Sequence, residues 1–338
     1  MNSLKRGRQS FVFATPPKIS NWASVAGKKE SAGPLAEYFD AVNTDAYWGQ
    51  KTWEQGEKQM QRLALQTLSK KSGILEEDFE IVISGDLLNQ CISSSFALRN
   101  TGIPFLGLYG ACSTMAEGLL AASMAVGGGF FDHAIAMTSS HFASSERQYR
   151  FPLGYGGQRT PTAQWTVTGA GAALVTSAGS GPEIIACTVG SVTDLGIKDA
   201  ANMGAAMAPA AFKTIIAHFD DLNVNADDFD LIVTGDLGQL GQDTLLALAR
   251  REGFSLGGKL LDCGMLIFDR EKQDVHAGGS GCGCSAIVLC GYLLDQLKKG
   301  KLNRILFCGT GALLSPTSVQ QGLPIPGICH AISIGGGH

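Results

Sequence analysis

A chain of 338 residues that is 45% hydrophobic and 17% charged can fold as two ordinary domains or one fused pair around a large core. A net charge of −4 leaves no basic field for nucleic acid, and the longest apolar stretch, Leu119–Phe131, is broken by glycines and falls short of the ~20 residues of a membrane span. Nine cysteines, an odd number in a chain with no secretory signal, read as reduced, buried small hydrophobes.

In chain order, an irregular, Pro- and Gly-punctuated lead runs to about residue 50. Hydrophobic periodicity then predicts helix 53–71, strand 80–84, a short helix 91–99, strand 105–108, helix 113–126 and strand 133–139. A polar insertion, 140–166, precedes strand 169–176. The second half reads as strand 183–194, helix 206–221, strand 230–234, helix 241–252, strand 259–262, a loop to Gly281, helix 283–299 and strand 304–309. The expected division is therefore a lead, 1–50, and two halves, 51–180 and 181–338.

One segment occurs twice. Asp78-Phe79-Glu80-Ile81-Val82-Ile83-Ser84-Gly85-Asp86-Leu87 returns 150 residues later as Asp228-Phe229-Asp230-Leu231-Ile232-Val233-Thr234-Gly235-Asp236-Leu237, with five positions identical. Each copy is a buried strand running into a Gly-Asp turn, and each follows a helical stretch, Glu57–Lys70 or Ala206–Asp221. The unit repeated is an αβ pair, which directs attention to the seam between the halves.

Two helices begin after a Gly-rich turn with a Cys-Ser pair, Cys112-Ser113 and Cys284-Ser285. The first helix is rich in small residues and nearly uncharged, as a helix buried between two sheets would be. A cysteine at such a helix start meets the positive end of the macrodipole and unpaired N–H donors, which favour a low-pKa thiolate. The same donors would serve an acyl-transfer oxyanion or receive a bound carboxylate. The plain alternative is a small buried residue filling a tight turn. Cys282 and Cys284 are one glycine apart without a second pair or a His cluster, so no metal site is expected.

Tyr109-Gly110-Ala111-Cys112-Ser113-Thr114, with Gly169-Ala170-Gly171-Ala172 and Gly309-Thr310-Gly311-Ala312, resembles the thiolase superfamily, most of all ketoacyl synthase III, across essentially the whole chain. The resemblance implies a duplicated αβαβα layered α/β fold. Gly85-Asp86-Leu87-Leu88-Asn89-Gln90, Arg147-Gln148-Tyr149-Arg150-Phe151-Pro152 and Gly311-Ala312-Leu313-Leu314-Ser315-Pro316 are similar to a sporulation family of spore-forming bacilli. That likeness implies binding of dipicolinic acid (pyridine-2,6-dicarboxylate), free or as its calcium chelate, during spore loading. It also implies partners in a spore membrane transport complex and is compatible with a homodimer. The protein is expected to be soluble or peripheral on the spore inner membrane, made on the cytoplasmic side and not secreted, with no cofactor of its own.

Condensing enzymes of the synthase III type carry a His after the second-half strand and an Asn before the second central helix. This chain has Val233-Thr234-Gly235-Asp236-Leu237-Gly238 and Gly278-Gly279-Ser280-Gly281-Cys282-Gly283 there, with neither residue. Losing that pair would remove most of the electrostatic stabilisation of condensation. His276 is a possible substitute but reads better as a surface residue after a charged turn. The expected function is thus non-catalytic, the alternative being a Cys-dependent acyltransferase with Cys112 as nucleophile and an unrecognised base. A dianion needs cationic or N–H donors, and the insertion supplies His141, Arg147, Arg150 and Arg159, each of which reads equally as part of a solvated loop. The expected ligand set is Cys112, His141, Arg147, Arg150, Gly279, Ser280 and Thr310, with Tyr149, Phe151 and Tyr155 as faces for a ring or as loop anchors.

Overall fold

The repeated segment marks equivalent strands in two copies of one five-stranded sheet. A computed structural model describes residues 4–149, 159–256 and 258–337. In the first half the strands are β1 (Lys18–Ala26), β2 (Val82–Asp86), β3 (Phe105–Gly107), β4 (His133–Ser140) and β5 (Gly169–Thr176). In the second they are β6 (Glu183–Thr188), β7 (Leu231–Thr234), β8 (Leu260–Asp262), β9 (Arg304–Ala312) and β10 (Gly327–Gly335). The sheet orders are β3-β2-β4-β5-β1 and β8-β7-β9-β10-β6. In both, the first three strands are parallel, the fourth runs antiparallel to the third and the fifth antiparallel to the fourth. The sheets meet where Lys18 of β1 pairs with Glu183 of β6.

Helix α1 (Trp53–Ser72) covers the outer face of the first sheet, its Met60, Leu65 and Leu68 packing with Val82, Ile135 and Leu174. It starts where Thr52 accepts a hydrogen bond from the Gln55 amide and ends at left-handed Gly73. Helix α2 (Ile92–Leu98) follows β2. Helices α5 (Met203–Leu222) and α6 (Gly238–Arg251) cover the outer face of the second sheet. Between the sheets lie α3 (Thr114–Gly127) and the helix Cys282–Val288, which continues through a π turn to Lys298. These two carry small residues because sheets press on them from both sides. The layers are therefore αβαβα.

The lead departs from the irregular segment expected. It provides β1, the strand at the seam, which a bulge between Ile19 and Asn21 removes from strict alternation. β6 carries a bulge at the matching place, between Ile184 and Ala186. The strand expected over 183–194 stops at Thr188, and β10 adds a strand beyond 309. Within the polar insertion stand α4 (Phe142–Tyr149) and the strand Trp165–Thr166, paired to Gly279–Ser280.

Candidate functional site

Cys112 sits in the single helical turn Ala111–Ser113 that leads into α3, at the carboxyl ends of the parallel strands. The turn holds Ala111 at a φ of 54°, a strained left-handed position for a residue with a side chain. β9 packs directly against it. A Cβ on Gly309 would lie 2.4 Å from the Ala116 Cβ, and one on Gly311 would lie 2.8 Å from the Gly110 carbonyl, so only glycine lets the strand reach the helix start.

Directly beneath Cys112 lies Asp236, at the end of β7. It is fully buried, and its Oδ2 accepts from Ser280 Oγ at 3.0 Å and from the Gly281 amide at 2.9 Å. Its Oδ1 accepts from Thr310 Oγ1 at 2.8 Å, while Thr310 Oγ1 in turn accepts from the Asp236 amide. Asp262 steadies the turn from below, accepting from Thr234 Oγ1, the Leu237 amide and the Gly238 amide at 2.6, 2.8 and 3.0 Å. Burial raises both carboxyls, that of Asp262 to about 6.

The thiol behaves opposite to the helix-start expectation. Cys112 is only 6% exposed, and burial first, then the Asp236 charge, push its pKa well above the ordinary thiol value. A helix terminus and its N–H groups favour an anion by about 0.3–1 kcal/mol near the surface, too little against burial beside a carboxylate. Cys112 is therefore a protonated thiol at neutral pH. Cys282, its buried neighbour across the seam, donates to the Ser139 carbonyl at 2.9 Å.

A cavity of about 70 Å³ opens over Cys112, lined among others by Leu87, Glu146, Tyr149, Thr166, Met203 and Ser280. The Tyr149 hydroxyl donates to the Leu87 carbonyl at 2.5 Å. Past Tyr149, Ala200 and Leu314, which border both spaces, lies a cleft of about 230 Å³ reaching Pro316 and Gln320. Among the described residues no lysine, arginine or histidine lines either space. No group of three or more His, Cys, Asp and Glu among them could hold a metal ion.

Of the residues proposed from sequence, Cys112, Ser280 and Thr310 come together around Asp236. Gly279 lies just behind, its carbonyl accepting from Gln164 Nε2 at 2.7 Å. His141 and Arg147 do not join them. His141 is buried at the start of α4, donating from Nε2 to the Ala46 carbonyl at 2.8 Å and accepting the Ala143 amide at Nδ1. Arg147 turns toward α1, paired with Glu54 and lying 5.2 Å over the Trp53 ring. Arg159 pairs with Asp274 at 3.0 Å, as does His276. Arg150, Phe151 and Tyr155 lie outside the described residues. Sequence reasoning noticed Asp236 only as the place of a missing His, although the Gly-Asp repeat pointed to it.

The same turn in the first half is also acidic. Asp86 accepts from the Leu88 and Ser94 amides and from Ser94 Oγ, while Glu57 accepts from Ser139 and Ser144 at 2.9 and 2.7 Å. Burial, and for Glu57 the Asp86 charge as well, raises both carboxyls.

A family model described as Stage V sporulation protein AD matches residues 7–335. The chain is 45% identical over 326 residues to Stage V sporulation protein AD of Bacillus subtilis (strain 168), covering 96% of each. Among solved structures it is similar to 3-oxoacyl-(acyl carrier protein) synthase III of Xanthomonas oryzae, at 15% identity and a TM-score of 0.58, covering 96% of this chain and 100% of that one. OleA of Xanthomonas campestris is similar at 15% identity and a TM-score of 0.59, covering 96% and 97%. These likenesses establish a thiolase-like fold, and with the match over residues 7–335 the chain belongs to the stage V sporulation protein AD family.

Proposed function

We propose that this chain binds pyridine-2,6-dicarboxylate without chemical conversion, in the space over Cys112 and the adjoining cleft, as part of loading the developing spore. Membership of a sporulation family supports the setting, and the protonated Cys112 over Asp236 carries the reading. A condensing site needs a thiolate and an electrophilic partner for the acyl carbonyl. Here a carboxylate sits beside the thiol and opposes both needs.

The ligand would enter as the free dianion or as its one-to-one calcium chelate, which is neutral and so brings less charge out of water. In the chelate, calcium travels as part of the ligand, not as a resident cofactor. No helix of the described residues is long and apolar enough to cross a membrane, so a role at the spore membrane would run through partner proteins.

Protection of Cys112 tests the placement. At an alkaline pH at which Cys112 of the unliganded protein alkylates measurably, saturating calcium and pyridine-2,6-dicarboxylate should slow its alkylation, and the 2,4-isomer should not. Unchanged alkylation under conditions where binding is measurable would move the ligand elsewhere.

A further inference from the structure

A second, larger chamber of about 550 Å³ lies on the far side of the wall formed by α4 and the strand Trp165–Thr166. Phe142, Ala143 and Trp165 face it, whereas Ser145, Tyr149 and Thr166 of the same two elements face Cys112. Its remaining sides come from the turn after β1, the segment before α1, and Gln273 and Asp274.

Three buried polar atoms around this chamber have no hydrogen-bond partner among the described residues: Glu30 Oε2, Trp48 Nε1 and Arg159 Nη1. Glu30 and Trp48 line it, and Arg159 lies over Trp165 and binds Asp274, which also line it. An indole N–H and a guanidinium N–H can only donate. Buried donors are normally satisfied, so an unsatisfied group of them asks for an acceptor.

The cations are held in place. Phe142 stacks on Trp165 at 3.7 Å and 5° and so occupies one face of the indole. Lys29 Nζ, 3.5 Å from the ring centroid, must therefore lie on the opposite face, where it also donates to the Asp274 carbonyl at 2.8 Å. Lys28 stands at the rim. Of the acids nearby, Asp45 accepts the Tyr47 and Gly49 amides and Asp274 pairs with Arg159 and His276. Glu30 accepts the Thr168 amide at Oε1 at 3.0 Å, and burial raises its carboxyl to about 7, so that in its protonated form Oε2 is a further donor to the chamber. His141 donates to a backbone carbonyl. What the chamber offers is a few donors and ammonium groups over apolar walls. A phosphate would want more donors than these, whereas one carboxylate on an apolar body matches them.

We propose that this chamber is a second ligand site, for a small organic carboxylate with a planar apolar body, its carboxylate taken by Trp48 Nε1 and Lys29. The proposal is independent of what binds over Cys112. The four tryptophans, Trp22, Trp48, Trp53 and Trp165, allow a located test in the full chain labelled with 5-fluorotryptophan. Titration with benzoate should shift the fluorine resonances of Trp48 and Trp165 saturably and leave Trp22, whose N–H binds Asp295 at 3.0 Å, in place. Lys29→Met should weaken benzoate at least tenfold with the Trp22 resonance unmoved, Ala143→Leu should abolish the shifts by filling the chamber, and Cys112→Ala should leave them unchanged. The proposal is overturned if neither Trp48 nor Trp165 responds saturably, if Lys29→Met binds like the parent, or if inorganic phosphate produces the same shifts with equal affinity.

Discussion

Replacing Asp236 by Asn removes the charge under Cys112 while keeping the side chain's shape. A unit charge a few ångströms from a thiolate opposes its formation by about 1 kcal/mol in water and about 4 kcal/mol at an effective dielectric of about 20. The substitution also has a structural cost. Asp236 Oδ2 accepts from Ser280 and the Gly281 amide, and an Asn amide placed there would face donors, which costs about 1–3 kcal/mol of stability. The assay is the pH dependence of iodoacetamide alkylation at Cys112, followed by peptide mass spectrometry, with circular dichroism confirming the fold. A parent thiol held above its ordinary value should alkylate at pH 7 more slowly than a free thiol. Asp236→Asn should bring the midpoint of that pH dependence down, while burial, the larger cause, continues to hold it up. A parent midpoint at or below about 8.5, or one that Asp236→Asn does not move, would refute the electrostatic account of the site.

The protein should yield no condensation product from acetyl- or malonyl-thioesters above the no-enzyme control, and turnover lost in Cys112→Ala would restore the acyltransferase alternative. Arg147→Ala should change the affinity for pyridine-2,6-dicarboxylate by less than about 1 kcal/mol, as for an outward surface ion pair, and a loss of several would place Arg147 on the ligand. Gly309→Ala should lower the urea midpoint by an amount equal to about 1–3 kcal/mol, because its Cβ would meet Ala116, and an unchanged midpoint would mean that β9 has room to move. His218, buried and bonded to Thr188, has its pKa lowered by burial from 6.5 to about 3, so the unfolded chain takes up its proton first and stability falls as pH drops below 6.5. At pH 5 that loss is about 2 kcal/mol, and denaturant titrations should show it reduced in His218→Gln, whereas parallel losses in both proteins would exclude His218 as the source.

The duplicated architecture was legible because the repeat kept both its hydrophobic pattern and its Gly-Asp turn. Helices α1, α3 and α5 followed from period and small-residue content. β1 was not legible, since its bulge breaks the alternation that marks a strand, and its Ser20, Asn21 and Ser24 resemble loop residues. β10 is buried along its whole length, so it too lacks an alternating face. At the site, Cys112, Ser280 and Thr310 were found by motif. The sign of the Cys112 shift was not, because it depends on a carboxylate 124 positions away in the chain brought under it by the fold. His141 and Arg147 were grouped with Cys112 by nearness in sequence, but α4 turns His141 to one side of its wall and Arg147 toward Glu54.

Calorimetric titration with pyridine-2,6-dicarboxylate, with and without equimolar calcium, tests the central claim most directly. The account expects saturable binding in at least one of the two forms, and the protein recovered with an unmodified mass. No saturable binding in either form, or a covalent adduct on Cys112, would contradict it.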